Sequence, residues 1–163
     1  MGKRLVGRVL GATALFVGIG SALTVAPAGA SATQQVAIVS HISFNFPLPN
    51  SGDFTTSGPA TDGGLICASG DVTDTRDLFV GYQSGFRYQV LVLKDFVCRD
   101  GSGTIFVKIQ VHGSFDGTES FTWVVQGGTG DYANLRGSGQ GSTVPNPDPS
   151  TGNTNFYEGF LVG

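Results

Sequence analysis

Charge is scarce in this chain. Only 13% of its residues are Asp, Glu, Lys or Arg, and no run of like charge occurs. Three of the nine cations, Lys3, Arg4 and Arg8, crowd into the first eight residues. From residue 33 onward Arg76, Arg87, Lys94, Arg99, Lys108 and Arg136 meet twelve acids, a net of −6. A dilute negative charge argues against nucleic acid or an anionic membrane as partner, because both demand clustered cations. Histidine is equally sparse. His41 and His112 are the only two, and both lie far along the chain from the cysteines Cys67 and Cys98, so no metal-ligand spacing arises. Neither an H-E-x-x-H helix motif nor a G-x-S-x-G nucleophile elbow is present. After residue 33 there is no long 3.6-residue period, and the 26 glycines recur too often to allow one.

Only one long apolar run exists. Residues 9–25 carry no charge, follow the basic start, and lead into Ala26-Pro27-Ala28-Gly29-Ala30-Ser31-Ala32. A basic start, a short apolar stretch and small residues at the A-x-A positions describe a secretory signal peptide cut after Ala30 or Ala32. Residues 1–32 are therefore expected to be removed. Residues 33–163 are expected to form one soluble, secreted domain with no membrane contact. In an oxidising compartment the pair Cys67 and Cys98 reads as a disulfide.

Alternation is the main structural signal. In residues 36–46 one parity holds Val36, Ile38, Ile42, Phe44 and Phe46, broken only by Ser40, and Pro47 ends the run. In residues 104–115 Ile105, Val107, Ile109, Val111 and Phe115 share a face, and in residues 120–126 Phe121, Trp123 and Val125 do. Residues 86–98 differ, because residues 90–93 are apolar on both parities. That pattern suits a central strand, or a barrel strand whose outer face meets another subunit. Weaker strands are expected at residues 65–69, 78–83, 132–141 and 156–162. Asn50-Ser51-Gly52-Asp53, Ser84-Gly85 and Asp116-Gly117 read as turns, the last as a hairpin. Residues 144–150, rich in Pro, read as a loop. The sum is an all-β fold of about eight antiparallel strands, closed as a barrel or folded as a sandwich.

The stretch "WVVQGGTGDYANLRGSG" raises a competing reading. Gly128-Thr129-Gly130-Asp131-Tyr132-Ala133 after a strand matches G-x-G-x-x-A, the dinucleotide-binding turn. That turn must open a helix and be followed by a second strand ending in an acid about 20 residues on. Here Gly137, Gly139 and Gly141 follow, a composition unfit for a helix, and no cofactor is expected. The glycines Gly127, Gly128 and Gly130 instead let the backbone turn or bulge. Tyr132 and Leu135 return to the core. Gly137, Gly139 and Gly141 leave one face of the next strand bare, so that a backbone or a large side chain can come close.

"GGTGDYANLRGSGQG" resembles the G-G-T-G-x-[YF]-x-x-x-x-G-x-G stretch of allene oxide cyclase-like and dirigent-like barrel proteins. The preceding "CRDGSGTIFVKIQVHGSFDGTESFTWVV" is similar to exported bacterial members of that group, and the likeness spans residues 98–141. The resemblance implies an eight-stranded antiparallel β-barrel, often trimeric, of a group whose members steer reactive small molecules inside the barrel. No stretch here matches the polar residues those proteins place around their ligands, so no functional residue is carried over.

The remaining candidates are few. Phe44, Phe46, Phe121, Trp123 and Tyr132 are candidates to line a ligand site or fill a core. His41 and His112 fall on polar parities and are expected to face solvent. Asp71, Asp74 and Asp77 recur every third residue, a spacing open to Ca²⁺, although Asp is also common in turns and the EF-hand pattern is absent. No catalytic residue is assigned. A non-catalytic module binding a small apolar ligand or a protein is the leading expectation. An isomerase or cyclase and an oligomeric structural module are the alternatives.

Overall fold

The computed structural model describes residues 32–47, 49–83, 87–114 and 119–163. The expected signal peptide and the turns at Ser84-Gly85 and Asp116-Gly117 lie outside the described residues. Eight strands follow one another: β1 (Gln34–Ser43), β2 (Ser51–Ser57), β3 (Ser69–Gln83), β4 (Arg87–Cys98), β5 (Thr104–Ser114), β6 (Glu119–Gly128), β7 (Arg136–Pro145) and β8 (Gly152–Val162). Each pairs antiparallel with the next, and β1 pairs with β8 from Gln34 opposite Leu161 to Ser43 opposite Gly152, so the sheet closes as a barrel. Closure leaves no edge pair unsatisfied between first and last strand.

The alternation read in β1, β5 and β6 matches the inner face. Val36, Ile38, Ser40 and Ile42 are buried along β1, as are Ile105, Val107 and Ile109 along β5 and Phe121, Trp123 and Val125 along β6. Ser40, the one break in the pattern, also points inward and is fully buried.

Several elements differ from expectation. Asn50-Ser51-Gly52-Asp53 is no turn: Ser51 begins β2, whose only fully buried side chain is Phe54. A strand this poor in apolar residues exists because both neighbours pair with it, so tertiary pairing overrides propensity. At Gly52 the β1 backbone comes so close that a Cβ would fall 1.6 Å from the His41 carbonyl oxygen. Of residues 65–69 only Ser69 joins a strand. The chain first makes a single helical turn, α1 (Pro59–Asp62), and residues 65–68 fold beneath it. Residues 78–83 are the far part of β3. Tyr132 lies in a 3₁₀ turn (Gly130–Tyr132), so β7 starts only at Arg136. β7 then runs on to Pro145, two residues into the expected loop.

The barrel has one filled end. Ala60 of α1, Ile66, Tyr132, Leu135 and Leu161 are buried there. The Cys67–Cys98 disulfide ties the segment after α1 to the end of β4; across a separation of 31 residues such a link stabilises by about 3–4 kcal/mol on the chain-entropy account. Further in, Tyr157 is the hub. Its ring meets Phe96, Phe121 and Trp123 edge-on, with centroids 5.9, 4.8 and 6.4 Å away, arrangements that add to area burial. Trp123 fits because β7 is bare beside it. A Cβ on Gly139 would lie 2.7 Å from Trp123 Nε1, and one on Gly141 2.3 Å from the Phe121 ring. The indole N–H donates to the Gln140 and Glu158 carbonyls at 3.2 Å each.

Candidate functional site

Toward the other end the inner rows change character, and the lumen opens into a cavity of about 230 Å³. One wall is apolar: Val90 and Val92 of β4, Ile109 and Val111 of β5, and Phe121 of β6. Polar groups supply most of the rest, with Asn50, Asp74, Asp77, Thr143, Asn153 and Asn155. Phe44, Tyr88 and Glu119 complete the lining near the strand ends.

Lys94 and Asp74 form a buried ion pair in this lining. They stand opposite each other in the β3–β4 register. Lys94 shares the inner row of β4 with Val92 and Phe96, and its side chain is buried. Either charge alone would be costly to bury, and the pair persists because each offsets the other. Asn50 Nδ2 donates to Asp74 Oδ2 at 3.3 Å and to Asp77 Oδ2 at 3.5 Å.

A bulge creates this arrangement. Asp74 and Asp77 are three residues apart, which in a regular strand puts them on opposite faces. The register shift between Asp74 and Arg76 brings both to the cavity, as bulges beside sites commonly do. Burial, and then the neighbouring Asp74 carboxylate, push the Asp77 carboxyl above its usual range, with Lys94 acting in the opposite sense. Asp71 points outward to an exposed ion pair with Arg99 at 2.8 Å. The three Asp residues thus do not converge, and no group of three or more His, Cys, Asp or Glu suited to a metal occurs among the described residues.

Two further polar contacts shape the lining. Thr143 Oγ1 donates to Asn155 Oδ1 at 2.9 Å, and Asn155 Nδ2 donates to Asn153 Oδ1 at 3.1 Å, with Ser40 Oγ 3.5 Å away. The Tyr88 hydroxyl donates to Glu119. Burial first, and Glu119 second, push the Tyr88 phenol well above its usual range, so it remains a donor.

The residues singled out from sequence divide cleanly. Phe44 and Phe121 line the cavity, while Trp123 and Tyr132 are core. Phe46 is fully exposed and takes no part in the core. Gly127 and Gly130 adopt φ of 146° and 58°, the conformations a corner needs. Gly128 packs on Tyr132, Gly137 on Leu161 and Gly139 under Trp123. His41 and His112 face outward; their rings meet Thr154 and Gln89, each at 3.1 Å. Residues 90–93 split by parity. Val90 and Val92 line the cavity, while Leu91 and Leu93 look outward, where Leu91 stands opposite exposed Leu78, with Val80 also exposed farther along β3.

Sequence reasoning passed over Lys94. The signal was there: one cation on the apolar parity of a strand is either paired or functional. No protein-family model matches the chain, and no curated protein matches it.

Lys94→Met leaves Asp74 buried without its counter-ion and is expected to lower unfolding stability by about 3–5 kcal/mol. Adding Asp74→Asn to that variant should recover most of the loss. Urea unfolding of both variants checks this, and a Lys94→Met protein as stable as the parent would contradict the buried pair.

Proposed function

We propose that this protein is a binding module that holds a small amphipathic molecule in the open half of its barrel. The observation that carries the reading is the division of the lumen. One half is packed solid around Tyr157, and the other is a cavity lined by apolar and polar side chains together. Ligand sites are typically concave, mostly apolar, and hold a few convergent polar groups. The resemblance of residues 98–141 to allene oxide cyclase-like and dirigent-like barrels supports the same reading, since those barrels act on small molecules in their lumens. The Cys67–Cys98 disulfide and the signal-like first 32 residues support export. No helix among the described residues is long and apolar enough to cross a membrane.

A second reading concerns assembly. The outward Leu78, Val80, Leu91 and Leu93 make an apolar ribbon on β3 and β4, of the kind that subunit contacts cover. It supports a homo-oligomer, and the resemblance favours a trimer.

Thermal unfolding and Trp123 fluorescence, read against a panel of medium-chain alcohols, phenols and fatty acids, test the binding reading. A member present at about 100 times its Kd should add roughly 2.7 kcal/mol of stability, and Val92→Phe, which fills the apolar wall, should abolish that gain. A panel that moves neither signal would overturn the reading. Sedimentation should give a mass near three subunits; a monomer at micromolar concentration removes the second reading.

A further inference from the structure

We infer that the molecule held in this cavity is a small organic cation, a protonated amine on an apolar or aromatic body. The inference rests on the cavity being a ligand site. It deepens that reading by assigning the ligand's charge.

Among the described residues the lining holds one ammonium, Lys94, against three carboxylates, Asp74, Asp77 and Glu119, a net of −2 when all are ionised. Lys94 is committed to Asp74. Asp77 has the neutral Asn50 amide and the Asp74 carboxylate beside it, with Lys94 acting on it more weakly than Asp74 does, and Glu119 accepts from the neutral Tyr88 hydroxyl; neither forms an ion pair among the described residues. Two carboxylates, Asp77 exposed at the mouth and Glu119 half-buried, therefore border the cavity without an ion-pair partner among the described residues. An anionic ligand would meet repulsion there. An ammonium supplies N–H donors and charge to both.

The rest of the lining agrees with this. Aromatic faces attract organic cations, and Phe44, Phe121 and Tyr88 border the cavity alongside the carboxylates. The apolar body has its own place against Val92 and Ile109, with Val92 opposite Asp77 in the β3–β4 register. Burial and Asp74 already push the Asp77 carboxyl upward, the direction in which a bound cation brings relief.

Calorimetric titration with 2-phenylethylamine and with its neutral isostere 2-phenylethanol tests the inference at neutral pH. The amine is expected to bind at least tenfold more tightly. Asp77→Asn and Glu119→Gln, each first shown by near-ultraviolet circular dichroism to keep the parent fold, should weaken the amine several-fold and leave the alcohol unchanged. Equal or tighter binding of the alcohol would overturn the cationic assignment and leave the cavity reading standing. A loss of equal size for both probes in the variants would also overturn it, because the acids would then act through shape. Failure of both probes to bind at millimolar concentration would remove the inference and the cavity reading together.

Discussion

An eight-stranded barrel has room inside for about one layer of side chains from each strand and little more. Everything in this protein follows from how that room is shared out. Between the end carrying α1 and the cavity, the large residues Phe96, Phe121, Trp123 and Tyr157 would overfill the lumen if β7 also sent side chains inward. It does not: Gly139 and Gly141 face the Trp123 and Phe121 rings, and Gly159 of β8 lies beneath Trp123 as well. The bare stretch of β7 is thus the counterpart of the aromatic hub. The glycine-rich segment that looks at first like a phosphate cradle serves packing.

The same limit explains why the other half stays hollow. There the inner rows carry Ser40, Asp74, Lys94, Thr143 and Asn155, all buried. Polar groups of this kind pack by directional bonds, and they do not close a space as interlocking apolar side chains do. Tyr157 stands between the two regimes. Its ring belongs to the aromatic hub, but its hydroxyl is buried without a hydrogen-bond partner among the described residues. Burial pushes this phenol well above its usual range, so it remains neutral. The Lys94–Asp74 pair carries the charge that the apolar half could not tolerate.

Much of the wall was legible from sequence. β1, β5 and β6 each bury one face only, and a period of two is then written plainly in Val36, Ile38 and Ile42 or in Phe121, Trp123 and Val125. β2 was not legible, since Ser51, Gly52 and Asp53 are turn formers, Thr55 and Thr56 add no apolar alternation, and the pairing of both neighbours decides the matter. The site was half legible. Lys94 interrupts an apolar row and could have been noticed. Its partner could not, because the bulge after Asp74 breaks the alternation that assigns faces in β3. Parity reasoning fails wherever a strand gains a residue, and here that is also where the carboxylates gather.

The ligand enters the mouth half of the lumen and not the outer sheet face if the proposed function holds. Methyl chemical shifts recorded by NMR during titration with 2-phenylethylamine separate the two. The methyls of Val90, Val92, Ile109 and Val111 are expected to move, while those of Val36, Ile66 and Leu161 at the filled end stay in place. Movement confined to Leu78, Val80, Leu91 and Leu93 on the outer ribbon would contradict the proposed function.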